Sequence, residues 1–554
     1  MADPTTPLLP NYGRGSRPWR SWLSWFAGNL VFTCIVLALL TLLGVGVPAS
    51  SETKPKPKPH VGKRNLIFMV SDGMGPASLS MTRSFRQHTE GLEAGDTLNL
   101  DKHFWGTSRT RSSSSLVTDS AAGATAFSCG MKSYNGAISV LPDHSPCGTV
   151  LEAAKKAGYT TGLVVTTSIT DATPACFASH VDFRIQQDEI ALQEIGEGPL
   201  GRVVDLMFGG GRCQFLPNGT EGGCRQDDID VTELAQKKHG WHYISERAAF
   251  NEYLEGGKEV PLPMLGLFAP ADIPFELDRR NMNHVYPSLS EMATTALRAL
   301  EKATEKSEKG FFLMIEGSRI DHAGHGNDPS AQVREVLEYD KTFKAVLDFL
   351  EGSRVEGVVV GTSDHETGGL SVARQVNSAY PEYLWKPQVL ANAAASSEHL
   401  AALLHSHIEE IGGSGSIDEL KDYINQALVI PGLGIYNATE EELTTIALYP
   451  EVAQPAFATM VSVRAQIGWS THGHSAVDVN IYCSGGEGTE GLRGNVENTD
   501  VGRFLAGYLG VDVEGVTREL GERMTMMMKG MGEGVTEEEI RGFDHWAEHE
   551  RSMK

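Results

Sequence analysis

Short apolar runs and longer helical patterns alternate along most of this chain. Asn65-Leu66-Ile67-Phe68-Met69-Val70, Gly310-Phe311-Phe312-Leu313-Met314-Ile315 and Val355 to Gly361 are apolar-rich runs bounded by glycine or polar turns. Runs of this length without polar alternation fit strands buried on both faces, as in a parallel-type sheet. Thr160–Thr167 and Val477–Tyr482 add further strand signals. Helical spacing occupies Thr149–Ala157, Ser288–Lys306 and Ser330–Leu350, the last running into Gly352. That rhythm predicts an α/β fold. Asn377 to Leu448 breaks it. Ala393-Ala394-Ala395 lies in a helical pattern and Gly412-Gly413-Ser414-Gly415-Ser416 interrupts it, so the stretch reads as an insertion.

One stretch is apolar throughout. Ala27 to Val47 holds 21 residues without a charge, and only Asn29, Thr33 and Thr41 are clearly polar. As a helix it would reach about 31 Å, the thickness of a bilayer core. Trp22, Trp25 and Phe26 stand where an interfacial aromatic belt lies. The expected organisation is a cytosolic tail (1–26), a transmembrane signal-anchor helix (27–47), a Pro/Lys-rich linker (48–62), a globular body (63–520) holding the insertion (377–448), and a C-terminal peripheral helix and tail (521–554). Lys54-Pro55-Lys56-Pro57-Lys58-Pro59 predicts a stiff, extended spacer. Signal peptides usually have a shorter apolar core. Cleavage after Val47-Pro48-Ala49 stays open as the alternative.

Charge does not orient the span, because Arg14, Arg17 and Arg20 before it are matched by Lys54, Lys56, Lys58, Lys63 and Arg64 after it. Other residues favour a lumenal or external body. Asn218-Gly219-Thr220 and Asn437-Ala438-Thr439 are N-glycosylation sequons. Six of the seven cysteines lie beyond the span, an even number suited to an oxidising compartment. Cys213 and Cys224, flanking a Gly/Pro/Asn-rich loop, are the expected pair. With 554 residues, 41% of them apolar, the chain can bury one large core or two smaller ones. The formal net charge of −24 argues against nucleic acid as a partner, since gripping a phosphate backbone depends on Lys and Arg.

Acids and imidazoles follow each buried run: Asp72-Gly73-Met74-Gly75, then Glu316 with Asp321-His322 and His325, then Thr362-Ser363-Asp364-His365-Glu366. In open α/β sheets the carboxyl ends of strands face one crevice, so these side chains would converge there as a metal site. Thr170-Asp171-Ala172-Thr173-Pro174, after another strand, offers hard oxygens suited to Mg²⁺. Arg184 downstream could clamp phosphate oxygens with its planar fork. Thr471-His472-Gly473-His474-Ser475 adds imidazoles beside Val477–Tyr482. Val117-Thr118-Asp119-Ser120-Ala121-Ala122-Gly123-Ala124-Thr125 reads as a capped helix start. Its free N–H groups and positive dipole end would receive a phosphate beside Ser120. Taken singly, each piece also has an ordinary structural reading: a helix cap, a Pro-containing turn, a surface arginine. No G-x-S-x-G elbow surrounds Ser120, against an α/β-hydrolase esterase.

Together the pieces resemble one family, the alkaline phosphatases, over roughly Lys63 to Ser484. Val117–Thr125 is similar to the family's active-site signature, and Asp72, Glu316, Asp321, His325, Asp364, His365 and His474 recur in the family's order. The N-terminal anchor is most similar to that of the membrane-anchored vacuolar members of fungi. The resemblance implies a large central, mostly parallel β-sheet sandwiched between helices, here with one N-terminal transmembrane helix. It implies Ser120 as nucleophile and Arg184 as phosphate clamp. A first Zn²⁺ would be held by Asp321, His325 and His474, the last preferred over His472 for its spacing to Asp478-Val479. A second Zn²⁺ would be held by Asp72, Asp364 and His365. One Mg²⁺ would take Asp72 from its other side with Thr173 and Glu316, and Asp171 through water. Asp171 resembles bacterial members, whereas His322 resembles animal ones.

The implied activity is hydrolysis of small phosphate monoesters of broad range through a phosphoserine, with phosphopeptides as a second substrate class. A homodimer is implied, as is a single-pass type II protein of the vacuolar membrane with a lumenal body; the cell surface is the alternative. A related metal-dependent phosphodiesterase, sulfatase or mutase is the rival reading. A non-catalytic glycoprotein with structural metals is a reading of a different class.

Overall fold

Alternate residues of the buried strands serve opposite faces of one sheet. β1 (Arg64–Val70) is buried at every position. Its Leu66, Phe68 and Val70 join the core on one face, and Ile67 and Met69 join the core on the other. This is the sheet geometry that a continuous apolar run predicts. The computed structural model describes residues 62–380, 382–412 and 415–530. The expected Ala27–Val47 span, nearly all of the linker and the tail beyond Gly530 lie outside them. Among the described residues, no helix is long and apolar enough to cross a membrane.

The remaining strands are β2 (Phe104–Arg109), β3 (Thr160–Ser168), β4 (Leu206–Gly210), β5 (His242–Ile244), β6 (Met264–Leu267), β7 (Phe311–Glu316), β8 (Glu356–Thr362), β9 (Glu366–Thr367), β10 (His474–Ser475), β11 (Val479–Cys483) and β12 (Gly494–Glu497). Nine of them join β1 in one ten-stranded sheet in the order β12-β2-β11-β8-β1-β7-β3-β4-β6-β5, and β9 pairs with β10 separately. Every pairing in the large sheet is parallel except those of β11, which runs against both β2 and β8. The helices Leu289–Thr304 and Pro329–Gly352 cover one face, and Val150–Lys156 and Asn498–Leu509 the other. Local chemistry starts them. Thr149 with Glu152, and Ser288 with Glu291, form capping boxes.

Residues 377–448 contribute helices and, among those described, no strand to the sheet. Their apolar sides build a separate core in which Leu390, Leu400, Leu404 and Ile446 meet Met81 and Phe85 of the helix Pro76–Glu90. The helix Ala453–Ala465 adds Phe457, Met460 and Val461 to that core, so the helical unit runs past Leu448. Cys213 and Cys224 form a disulfide, and so do Cys129 and Cys147; Cys176 and Cys483 are buried free thiols. Asn218 and Asn437 are both exposed.

Candidate metal centre

Four adjacent parallel strands, β8-β1-β7-β3, deliver most of the chemistry from their carboxyl ends. Asp364 and His365 follow β8, Asp72 follows β1, Glu316 ends β7, and Asp171 and Thr173 follow β3. Close packing draws them together. Gly73 has φ +75°, and a Cβ there would sit 2.5 Å from Asp321 Cα, so only glycine lets the Asp72 turn abut the next element. That element is the helix Arg319–His325, on which Asp321 and His325 lie one turn apart. The short antiparallel pairing of β9 with β10 places His474 opposite Thr367.

His365 stands at the middle. Its Nε2 lies 3.5 Å from Asp72 Oδ1 and 3.2 Å from Asp364 Oδ2. Asp72, Asp364 and His365 form one donor group, and Asp321, His365 and His474 form another, the donor atoms of each within 4.8 Å of one another. His325 joins the second group, its Nε2 3.3 Å from Asp321 Oδ2 and 3.1 Å from His474 Nε2. All three imidazoles have Nδ1 engaged away from the cluster. Nδ1 of His474 lies 2.8 Å from the Thr118 carbonyl, and that of His325 meets the His472 carbonyl. Nδ1 of His365 lies 3.2 Å from Thr367 Oγ1. A carbonyl can only accept, so Nδ1 carries the proton in His325 and His474 and each Nε2 lone pair faces inward, as metal-binding histidines require.

Ser120 opens the helix Ser120–Cys129. Asp119 caps it, Oδ1 accepting from Ala122 N at 3.0 Å and Oδ2 from Gly136 N at 2.9 Å. Ser120 Oγ lies 3.1 Å from His365 Nε2. The helix can come this close because position 123 is glycine: a Cβ there would sit 2.8 Å from Asp364 Cβ. Arg184 flanks the same helix start, donating from Nη2 to Asp171 Oδ1 at 2.8 Å, with Nη1 3.6 Å from Asp119 Oδ2.

Several side chains stand elsewhere than in the two donor groups. Asp171 caps the helix Ala172–Ala178 and shares its carboxylate with Arg184. Glu316 accepts from Ser318 Oγ at 2.7 Å. His322 turns outward, 3.3 Å from Asp272 Oδ2. His472 supports His325 through its backbone instead of joining the cluster. Thr367 carried no sequence signal, yet its hydroxyl donates to Asp321 and meets His365 Nδ1, tying the two donor groups together. The Asp119 cap was legible as a helix start, whereas the Thr118 carbonyl that holds His474 carried no signal.

Burial raises Asp72 well above the usual carboxylate range, helped by the charges of Asp364, Asp321 and Glu316. Burial pushes Glu316 up to about 8. At Asp321 burial acts the same way but loses to the His325 hydrogen bond and the surrounding imidazoles, which hold that carboxyl well below its range. Burial, with His365 alongside, pushes His474 down to about 4. So much crowded acid in a buried place is what a divalent cation neutralises. Asp72 Oδ1, Asp364 Oδ2 and Thr173 Oγ1 are buried with no hydrogen-bond partner, and their lone pairs are left for such an ion. Inward imidazole nitrogens and hard oxygens together fit zinc-type and magnesium-type ligation.

Comparison with known proteins points to one family. A family model described as alkaline phosphatase matches residues 63–511. The chain is 52% identical to the repressible alkaline phosphatase of Saccharomyces cerevisiae over 92% of each protein. It is 48% identical to an alkaline phosphatase of Schizosaccharomyces pombe over 94% of each. Among solved structures, a cold-active alkaline phosphatase from a psychrophilic Shewanella species is similar with a TM-score of 0.66 at 29% identity, covering 80% of this chain and 99% of that one.

Proposed function

The chain belongs to the alkaline phosphatase family and hydrolyses phosphate monoesters; from that premise we propose how its residues divide the work. Asp321, His325 and His474 hold one Zn²⁺, and Asp72, Asp364 and His365 hold a second. Asp72, Thr173 and Glu316 hold Mg²⁺, with Asp171 at one remove. When bound, such cations lower the pKa of a coordinated hydroxyl or water and offset charge on the leaving oxygen.

Ser120 Oγ attacks phosphorus, the ester P–O bond breaks, and the alcohol leaves as a phosphoserine forms. Arg184, held in place by Asp171 and Asp119, binds the non-bridging oxygens together with the helix N-terminus. Water then attacks the phosphoserine and releases inorganic phosphate and the free serine. The observation that carries this reading is the 3.1 Å approach of Ser120 Oγ to His365 Nε2, beside Asp72 and Asp364. Arg184 beside the serine favours a dianionic monoester over a diester or sulfate.

Metal analysis of the purified body, paired with monoester and diester assays before and after chelation, tests the proposal. The expected result is zinc and magnesium in a two-to-one ratio, monoester hydrolysis far faster than diester, and activity lost on chelation and regained on reloading. Full activity without metal, or a faster diester reaction, would overturn it.

The two disulfides support a body folded in an oxidising compartment. We place it in the vacuolar lumen on a single-pass anchor, as a homodimer with glycans at Asn218 and Asn437, acting on small monoesters and on phosphopeptides. A tagged full-length protein seen at the plasma membrane would contradict that placement.

A further inference from the structure

Beside the cluster lies a cavity of about 470 Å³ whose lining includes His325, His472, Asp272, Arg319, Glu398 and Gln454. It begins where the second donor group ends. The inward Nε2 of His325 faces Asp321, yet the side chain is 40% exposed and borders the cavity. In an in-line displacement, Ser120 approaches from the side of Asp72 and Asp364, and the alcohol departs on the opposite, His325 side. The departing group therefore points toward this space.

The walls have a definite charge. Arg319 is nearly buried and donates to Asp272 Oδ2 at 2.8 Å and to both Glu398 oxygens at 2.6 and 2.8 Å, while stacking 4.0 Å over the Phe275 ring. His322 also lines the cavity, its Nδ1 3.3 Å from Asp272 Oδ2; one guanidinium faces two carboxylates, so the wall keeps a formal negative charge whenever that imidazole is neutral. Glu398 comes from the helix Ser397–Glu410 and Gln454 from the helix Ala453–Ala465. The helical unit that adds no strand to the sheet thus supplies the outer wall of the space next to the reacting centre. Pro455 and Gly326 complete the lining, so a short carbon chain fits beside the charged groups.

We propose that this cavity receives the leaving alcohol and selects one bearing an ammonium group over one bearing a carboxylate. The inference rests on the monoesterase reading and narrows its substrates to phosphate esters of amino alcohols. Glu398→Gln would break the ion pair with Arg319, two residues from Asp321, so the uncharged Gln454 of the same outer wall is the place to change charge.

The test measures kcat/KM of the metal-loaded, full-length enzyme on three two-carbon monoesters: phosphoethanolamine, ethyl phosphate and phosphoglycolate. Wild type, Gln454→Lys and Gln454→Glu are compared, with an aryl phosphate as a common reference. Ratios between variants cancel the intrinsic reactivity of each alcohol. A single added charge within a few ångströms of the bound group should change the phosphoethanolamine-to-phosphoglycolate ratio by about threefold to tenfold, less at high salt. The ratio falls in Gln454→Lys and rises in Gln454→Glu. Hydrolysis of all esters with that ratio unmoved in both variants overturns the cavity assignment and leaves the monoesterase reading standing. Failure of wild type on every ester, aryl phosphate included, overturns both.

Discussion

The two donor groups of the centre share His365 yet live in different surroundings. Asp72, Asp364 and His365 are all buried, sealed behind the helix that carries Ser120. The other group opens outward: His474 is 11% exposed and His325 40%, against 6% for Asp321. The closed group is set by tight packing: Gly123 marks a place where even a methyl group would collide with Asp364, and Gly73, next to Asp72, packs as closely on Asp321 of the other group. The open group is set by hydrogen bonds from imidazoles to loop carbonyls. This contrast matches a division of labour. The nucleophile needs one fixed position, whereas the alcohol and the attacking water need a way in and out.

Removing the group both sites serve gives the largest effect. Ser120→Ala should lower turnover about 10³-fold or more while zinc content and melting temperature stay near wild type. A variant keeping a tenth of the activity would break the account. Next come the ligands themselves. Asp364→Asn should lose its cation so completely that excess zinc restores little activity. His325→Gln, at the open side, should show about 10- to 100-fold weaker zinc retention by chelator competition and recover in excess zinc. Equal recovery of the two variants would erase the contrast.

Packing should matter on a smaller scale. Gly123→Ala forces the serine helix away from Asp364 and should reduce kcat by about tenfold with a smaller change in KM, because a shift of an ångström misaligns the attack. Unchanged kcat would show that the close approach is incidental.

The smallest effect concerns pH and the stripped protein. Glu316 is pushed up to about 8. Folded protein thus binds a proton that unfolded protein has lost, and stability declines as pH rises from the ordinary glutamate range to about 8. His365 and His325 are also raised and act in the same direction above pH 6.5. His474, pushed down to about 4, works the other way below 6.5. The clearest window is therefore pH 6.5 to 8, where chelated protein should lose a few degrees of melting temperature and metal-loaded protein should not. Parallel curves for the two forms would deny that cations neutralise these acids.

Much of this arrangement was legible because it is local. Strands β1, β7 and β8 announce themselves as unbroken apolar runs, and the acids beyond them land at one sheet edge by topology alone. Cys213–Cys224 was legible for the same reason, the two being 11 residues apart around a turn-rich loop. The reversed direction of β11 was not, since Val479–Cys483 pairs with β2 and β8 across hundreds of residues and apolar content carries no sense of direction. The imidazole beside Ser120, 245 residues away along the chain, was legible only through the family resemblance, which groups His365 with the residues that serve the serine. Past Leu448 the core of the helical unit continues through Phe457 and Met460, beyond a Pro-containing turn.

The claim on which the rest depends is that Ser120 takes the phosphoryl group. Wild-type enzyme mixed with a ³²P-labelled monoester, quenched in acid within milliseconds and digested, should yield one labelled peptide containing Ser120, and Ser120→Ala should yield none. Label on another residue, or rapid turnover with no labelled peptide at any quench time, would contradict it.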